Sequence, residues 1–273
     1  GWSFLMDYFN VNQAYAFGID LSVYNGSADG KRKPCFDRIA AHQPRVEFAA
    51  LRAGQSWGYR DPAFANYLAE ARRIGLRALP YHVVFPAESA VRQMDAFLGI
   101  LEGEDLDALR LVLDMELEHG QTRRRITDTL NACLEILLEE TGRYPIVYSR
   151  ASWVDANLEV ADLPELDWWL AQYYARRAYP GYTPEYPCPP RLPEGVSAWR
   201  IHQTAERAPA IGGSGWYMDY DRWNGSRAEL LAYFGREERQ PAFVCPLDGL
   251  PCPRNNIQPN QALIEQPVGM EVI

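Results

Sequence analysis

The stretch Leu111-Val112-Leu113-Asp114-Met115-Glu116 joins a short apolar run to two carboxylates that one residue separates. A short run of bulky apolar residues is typical of a buried strand. Side chains at positions i and i+2 of a strand point to the same face, so Asp114 and Glu116 are expected to project together from its carboxyl end. Two adjacent acids do not both ionise readily, and the pKa of one therefore rises. The alternative interpretation of such a pair is a solvated loop after a strand.

Seven further apolar segments rich in β-forming residues accompany this one, and helical patterns separate the first five strands from each other. Those first five recur about thirty residues apart, which is the spacing of a strand–helix unit. Proline and glycine interrupt the stretches between the last three segments. The pattern predicts an α/β fold, an irregular TIM-like β/α barrel of the form (β/α)5(β)3, whose last three strands are joined by loops. The predicted strands are 17–20, 46–53, 77–84, 111–114, 145–149, 167–173, 198–203 and 216–219.

Apolar residues at helical spacing predict helices near 36–40, 64–74, 91–101 and 126–138, with Gly142 ending the last. Ser226 and Glu229 have the spacing of a capping box, which predicts a final helix up to Gly235 that closes the barrel bottom. From about residue 236 the composition becomes Pro-rich and aperiodic. We therefore predict a barrel domain over 1–236, with its core at about 15–235, and an extended tail over 237–273.

Composition excludes several classes of partner and cofactor. The net charge of −9 leaves no basic surplus for nucleic acid, and no apolar stretch approaches the roughly 20 residues that span a bilayer. The chain as given has no basic segment followed by an apolar core, so no signal peptide is expected. The five cysteines have no C-x2-C pair, and we see no metal-ligand cluster or Gly-rich phosphate loop, so neither a metal nor a cofactor is expected. Whether Cys245 and Cys252, which flank a turn-like segment, form a disulfide stays open.

Acids fall at the ends of three predicted strands. Asp20 ends the first, Asp114 and Glu116 end the fourth, and Asp219 ends the eighth. Active-site groups of β/α barrels collect at the carboxyl ends of the strands. Because the first and eighth strands are neighbours in a closed barrel, Asp20 and Asp219 are expected to approach each other. Asp221 is interpreted instead as an exposed acid beside an aromatic residue.

Motifs in eight segments then point to one family. Phe17-Gly18-Ile19-Asp20-Leu21-Ser22-Val23-Tyr24-Asn25-Gly26 is similar to the opening G-I-D-x-S-x-[YW]-[QN]-G of glycoside hydrolase family 25, the lysozyme group that cuts peptidoglycan. Val23 departs from it by replacing a common histidine, the seventh-strand motif is looser, and a Pro-rich insertion occupies 179–193. The other segments that resemble the family are Leu51–Gly54, Leu79–Pro86, Asp114–Glu116, Pro145–Ser149, Trp169–Tyr173, Ile201–Gln203 and Asp219–Gly225.

The resemblance implies a muramidase, which hydrolyses the β-1,4 bond between N-acetylmuramic acid and N-acetylglucosamine. It implies Glu116 as the general acid, with Asp114 raising the pKa of Glu116 and assisting the 2-acetamido group of the sugar. Asp20 and Asp219 would hold the sugar or a water on the opposite side. In a competing, inverting scheme one of these two acts as the base.

Polymeric sugars bind in grooves lined by aromatic faces and a few polar groups. The predicted substrate-binding residues, all near strand ends, are Tyr81, Tyr148, Trp169, Tyr173 and Gln203. His82 and His202 alternate away from them and are interpreted as structural. The implied partner is the glycan strand of peptidoglycan, with action at the cell wall, extracellular or phage-delivered as for an endolysin. The tail leaves room for a further module or a virion partner.

Two alternatives stay open. A chitinase-like barrel usually carries a longer D-x-x-D-x-D-x-E run, and Leu109 and Val112 stand where its first acids are expected, which disfavours it. A non-catalytic peptidoglycan-binding or virion structural module is the other, although such a module has no reason to retain the acid pair of Asp114 and Glu116.

Overall fold

A computed structural model describes residues 15–26, 33–173, 188–212 and 217–235 of the 273-residue chain. The predicted tail 237–273 lies outside the described residues, together with Cys245 and Cys252 and much of the Pro-rich insertion. The domain boundary near residue 236 therefore stays a prediction. Within the described part, no helix has the length and apolar character needed to cross a membrane.

The strands form one closed sheet. β3 is a two-residue hairpin partner of β2 that the sequence pattern did not predict, so the predicted strands three to eight are β4 to β9. The strands are β1 Phe17–Leu21, β2 Val46–Gln55, β3 Tyr59–Arg60, β4 Arg77–Val83, β5 Val112–Asp114, β6 Ile146–Ser149, β7 Trp168–Ala171, β8 Ile201–Pro209 and β9 Tyr217–Trp223.

Helices follow each of the first five barrel strands, as predicted. Helix α4 begins after Thr122, whose hydroxyl accepts a hydrogen bond from the Arg125 amide, and it ends at Gly142 with a left-handed φ of 69°. Apolar spacing had located four of these five helices, and α5 is the one for which no such pattern was recognised. The helices are α1 Phe36–Ala40, α2 Phe64–Arg73, α3 Ala90–Ile100, α4 Arg123–Thr141, α5 Ala151–Asn157 and, after the last strand, α6 Arg227–Phe234.

Sheet topology confirms the (β/α)5(β)3 barrel. The strand order is β1-β9-β8-β7-β6-β5-β4-β2, and the parallel pairing of β1 with β2 closes the ring. Strands β2 and β4 to β8 pair in parallel, so their carboxyl ends meet at one rim. The residues described between β7 and β8 and between β8 and β9 contain no helix.

The last strand corrects the prediction in one respect. The sequence pattern ended it at Asp219, whereas β9 begins at Tyr217 and runs to Trp223, antiparallel to both β1 and β8. Because the strand is reversed, its beginning lies at the rim where the parallel strands end. Asp219 therefore reaches the expected rim from the start of its strand.

The barrel interior and the shell between strands and helices form two apolar clusters. Helix α6 closes the bottom as predicted, since its buried Leu230 and Phe234 pack in the interior cluster. Its capping box is formed by Ser226 and Glu229. In β1, Gly18 allows close packing, because a Cβ atom there would overlap the ring of buried Phe48. The filled interior makes the barrel a packed core and leaves the strand ends as the place for a site.

Candidate active site

An open cavity of about 610 Å³ lies at the rim where the parallel strands end. The structure brings all four predicted acids into it, since Asp20, Asp114, Glu116 and Asp219 line the same cavity. Tyr81 is the one predicted substrate-binding residue among the lining residues. The carboxylates come from the rim ends of β1, β5 and β9, which are far apart in sequence. Only the closure of the barrel makes them neighbours.

Asp20 lies directly opposite Asp219 in the pairing of β1 with β9. Burial raises the pKa of Asp20 to about 6, and contacts with Gln203, Asp221 and Asp219 offset part of that rise. Burial and the charge of Asp20 raise the pKa of Asp219 to about 10. At neutral pH the proton of this pair therefore stays on Asp219, and Asp20 is the ionised partner.

Asp221 is fully buried, which contradicts its interpretation as an exposed acid. The indole Nε1–H of Trp169 donates a 2.8 Å hydrogen bond to its Oδ1 atom. Burial, followed by the charges of Asp20 and Asp219, raises its pKa well above the usual range. The prediction was wrong because alternation along β9 turns Asp221 to the same interior face as Asp219. Asp221 thus lies below the cavity floor and forms a hydrogen bond with Asp20.

Asp114 and Glu116 differ in exposure although both line the cavity. Asp114 ends β5 and is buried, and its Oδ1 atom has no hydrogen-bond partner among the described residues. Burial raises the pKa of Asp114 well above its usual range, the charges of Glu116 and Asp20 raise it further, and Arg52 lowers it. Although Asp114 lines the cavity, this Oδ1 oxygen is shielded from solvent and has no partner among the described residues.

Glu116 stands at the mouth of the cavity, where it is exposed to solvent. Partial desolvation raises its pKa, Arg150 lowers it and Glu206 raises it. The charge of Glu116 in turn raises the pKa of the buried Asp114, so the two carboxyl groups disfavour each other's ionisation. The acid at the mouth is therefore biased toward its protonated form by its surroundings.

A hydrogen-bonded network holds Asp20 in place. The Nε2 amide of Gln203 donates to Asp20 Oδ2 at 2.6 Å. The Oε1 atom of Gln203 accepts from the hydroxyls of Tyr148 at 2.9 Å and Tyr173 at 2.6 Å. Gln203 and Tyr148 are buried, and Tyr173 is half-buried. Three of the five predicted substrate-binding residues thus form one network that orients the carboxylate of Asp20.

Trp169 lies beneath this network. It is 2% exposed, and its ring meets those of Tyr148 and Tyr81 edge to face, at centroid distances of 4.8 and 6.3 Å. Edge-to-face contacts of this kind stabilise aromatic clusters. Trp169 therefore packs beneath the cavity floor, whereas Tyr81 lines the cavity.

The sequence analysis missed several cavity residues. Glu206 was missed because β8 continues to Pro209, six residues beyond its predicted end. Arg52 lies inside a quoted motif and forms a buried ion pair with Asp61, with Nε to Oδ2 at 2.8 Å. Tyr24 and Tyr217 are 81% and 57% exposed on the rim. The opening motif contains Tyr24, so the motif itself was the signal for that residue.

The two histidines interpreted as structural, His82 and His202, do not line the cavity. His82 is buried and stacks on Phe97 at a centroid distance of 5.0 Å. His202 is buried, and its Nε2 atom is 2.8 Å from the carbonyl oxygen of Gln172. Burial lowers the pKa of His82 to about 4 and that of His202 to about 3. Both are therefore neutral packing residues at physiological pH, in agreement with their structural interpretation.

A second open cavity, of about 750 Å³, lies beside the beginnings of β7 and β8. Its Asp167 is paired: Arg200 Nε donates at 2.8 Å and the Tyr233 hydroxyl at 2.7 Å. Its other carboxylate, Glu165, is exposed. The rim cavity gathers more carboxyl groups, and four of them have raised pKa values, so the acid-lined rim is the better candidate. Among the described residues, no group of three or more His, Cys, Asp or Glu side chains is arranged to hold a metal ion.

A β/α barrel whose mouth gathers four carboxyl groups of shifted pKa has the arrangement of a barrel glycoside hydrolase. The sequence profile of glycosyl hydrolases family 25 matches residues 19–212. The chain belongs to this family and is a glycoside hydrolase, which confirms the resemblance drawn from its motifs.

The chain is also similar to individual proteins of known sequence or structure. The chain is 29% identical to the Escherichia coli protein YegX over 79% of this chain and 72% of that one. It is 24% identical to a lysozyme of Streptomyces globisporus over 79% of this chain and 70% of that one. The crystal structure of a lysozyme from Streptomyces coelicolor superposes with a TM-score of 0.64 at 23% identity, over 80% of this chain and 95% of that chain. At that identity the superposition shows the shared fold.

Proposed function

We propose that this protein is a muramidase, which hydrolyses the β-1,4 bond between N-acetylmuramic acid and N-acetylglucosamine in peptidoglycan. The observation that carries the proposal is the pairing of an exposed acid of raised pKa, Glu116, with a buried acid, Asp114, in the same cavity. The family supports glycoside hydrolysis, and a lysozyme among the sequence relatives supports peptidoglycan as the substrate.

In the first step Glu116 donates its proton to the oxygen of the leaving sugar as the glycosidic bond breaks. The carbonyl oxygen of the 2-acetamido group attacks the anomeric carbon and closes a five-membered ring. Asp114 accepts a hydrogen bond from the acetamide N–H with its carboxylate, which favours the ionised form of Asp114 and stabilises the positive charge on the ring.

In the second step the Glu116 carboxylate takes a proton from water, and the water oxygen attacks the anomeric carbon and reopens the ring. This proton leaves Glu116 protonated for the next cycle, and the configuration of the sugar is retained. Asp20 and Asp219 hold the sugar or a water on the opposite side. In the inverting alternative Asp20 is the candidate base, because it is the ionised member of its pair. The anomer released first, read by NMR, distinguishes the two schemes.

The rim residues Tyr24 and Tyr217 suit a polymeric sugar, since exposed aromatic faces cover the C–H surface of pyranose rings. We therefore propose the glycan strand of peptidoglycan as the partner and the cell wall as the place of action, reached outside the cell or by phage delivery. The tail 237–273 remains a proposed link to a further module or virion partner.

The test is the clearing of purified cell walls by wild-type protein and by Glu116→Gln. Glu118→Gln is the matched control, because Glu118 is exposed two residues away and does not line the cavity. We expect Glu116→Gln to lower the rate by about 10²- to 10⁴-fold, the range of a lost general acid, and Glu118→Gln to keep it.

Mass spectrometry of the products completes the test. N-acetylmuramic acid at the new reducing end is the expected result, and N-acetylglucosamine there would contradict the proposed bond. Clearing that survives in Glu116→Gln would remove Glu116 from its role. A wild-type protein that binds walls without clearing them would favour the binding-module alternative, and cleavage of chitin in preference to walls would favour the chitinase-like one.

A further inference from the structure

Trp57 is a large exposed aromatic residue outside the acidic cavity. It lies in the turn between β2 and β3 and is 48% exposed. The guanidinium carbon of Arg92, in the first turn of α3, lies 3.8 Å from the centroid of its ring. A cation at that distance covers one face of the indole. The exposed fraction leaves the rest of the ring surface in contact with solvent.

The turn that carries Trp57 is held firmly against the cavity wall. Ser56 has a positive φ of 53°, which is uncommon for a residue other than glycine. Its amide donates to the carbonyl oxygen of Val83 at 3.0 Å, and its hydroxyl donates to Glu88. Gln55 and Val83, the neighbours of this turn in β2 and β4, both line the acidic cavity. Trp57 is thus anchored directly beyond a wall of the candidate active site.

An anchored indole with one backed face is well suited to a sugar ring. Its flat surface covers the C–H face of a pyranose, and less conformational entropy is lost on binding because the turn is fixed by Ser56 and Arg92 already packs on one face of the ring. A glycan strand is longer than the cavity that holds its cleaved bond, so it has to leave the cavity across the rim. Trp57 lies on the rim formed by β2 and β4, whereas Tyr217 lies on the rim formed by β9.

We propose that Trp57, backed by Arg92, forms an accessory subsite for a pyranose ring of a glycan strand, outside the acidic cavity. The inference rests on the proposed function, since it takes the same polymer as the ligand. The subsite adds affinity for long strands and takes no part in bond cleavage. Substrates too short to reach it are therefore processed equally well without it.

The first experiment compares long glycan strands with short fragments as substrates for Trp57→Ala, Trp57→Phe and Val91→Ala. Val91 is the matched control because it is 57% exposed on α3, next to Arg92, and carries no aromatic face. For Trp57→Ala we expect KM on long strands to rise about tenfold, kcat to stay within about twofold, and both constants to stay unchanged on the shortest cleaved fragment. Trp57→Phe keeps a flat face and should recover most of the affinity.

The second experiment separates this inference from the proposed function. Each variant is placed in the Glu116→Gln background, and binding to soluble glycan strands freed of stem peptides is measured by calorimetry. About tenfold weaker binding for Trp57→Ala than for Val91→Ala supports the subsite even if the wild type cleaves a different bond. Equal binding of the two variants overturns it. A loss of kcat on the shortest fragment in Trp57→Ala also overturns it, because that result means a disturbed active site.

Discussion

Gln203 is positioned to control the charge of Asp20, and its replacement tests that role. Gln203→Leu removes the 2.6 Å bond from Nε2 to Asp20 and both hydroxyl bonds to Oε1. A hydrogen bond to a charged group contributes about 1.5–3 kcal/mol, and one pKa unit corresponds to about 1.4 kcal/mol. The pKa of Asp20 lies at about 6 and should rise. If ionised Asp20 takes part in the reaction, as the base of the inverting alternative does, the acid limb of the pH–rate profile should move upward by about one to two pH units.

Stability gives a second readout of the same change. The hydroxyl of buried Tyr148 loses its acceptor in Gln203→Leu, which costs about 1–3 kcal/mol, whereas half-buried Tyr173 can turn to water. Gln203→Glu keeps an acceptor for both hydroxyls but replaces the donor beside Asp20 with a carboxyl group. It should therefore move the acid limb at least as far as Gln203→Leu, with a smaller stability loss at low pH, where the new carboxyl group is neutral.

The assay measures kcat/KM for glycan fragments between pH 4 and 9, together with urea unfolding. Gln93→Leu is the control, since Gln93 is a fully buried amide that bonds only the backbone of Phe85 among the described residues. It should lose stability without moving the acid limb. If both Gln203 variants kept the wild-type acid limb, the ionisation of Asp20 would not limit activity, and the assigned role of the network would be wrong.

Three further predictions concern stability. Asp219→Asn should gain stability relative to wild type as pH rises from 4 to 9. The pKa of Asp219 is raised from 3.8 to about 10, so the folded wild type holds a proton that the unfolded chain releases. The stability that this group contributes is complete below pH 4 and is lost as pH approaches 10. Urea unfolding at pH 5 and 8 checks it, and equal differences at the two values would contradict it. Gly18→Ala should cost about 1–3 kcal/mol because the new methyl group meets the ring of Phe48, and Phe48→Leu in the same chain should recover part of the loss. Arg52→Gln should lower stability by about 3–5 kcal/mol in thermal unfolding, because it leaves the buried carboxylate of Asp61 without its cation. A change of less than about 1 kcal/mol would mean that the ion pair is dispensable for stability.

Local patterns in the sequence were sufficient for most of the fold. Apolar runs located the eight barrel strands, helical spacing located four of the five βα helices, and capping residues set the ends of α4 and α6. The acids were predictable because each directly follows or interrupts an apolar run, as Asp20 and Asp114 do. Helix α5 was missed because it buries only Ala151 and Val154, so its sequence has no recognisable apolar stripe.

The amino-acid sequence therefore defines the set of elements and the chemistry at their ends, since both depend on neighbours within a few residues. Which groups share a proton and which hold one another in place depends on how the chain packs in three dimensions. The reversal of β9 depends on how the barrel closes, and that closure places Asp219 against Asp20 and buries Asp221. The bond from Gln203 to Asp20 joins residues 183 positions apart. Burial and long-range contacts of this kind set the pKa of each acid, and no short stretch of sequence contains them.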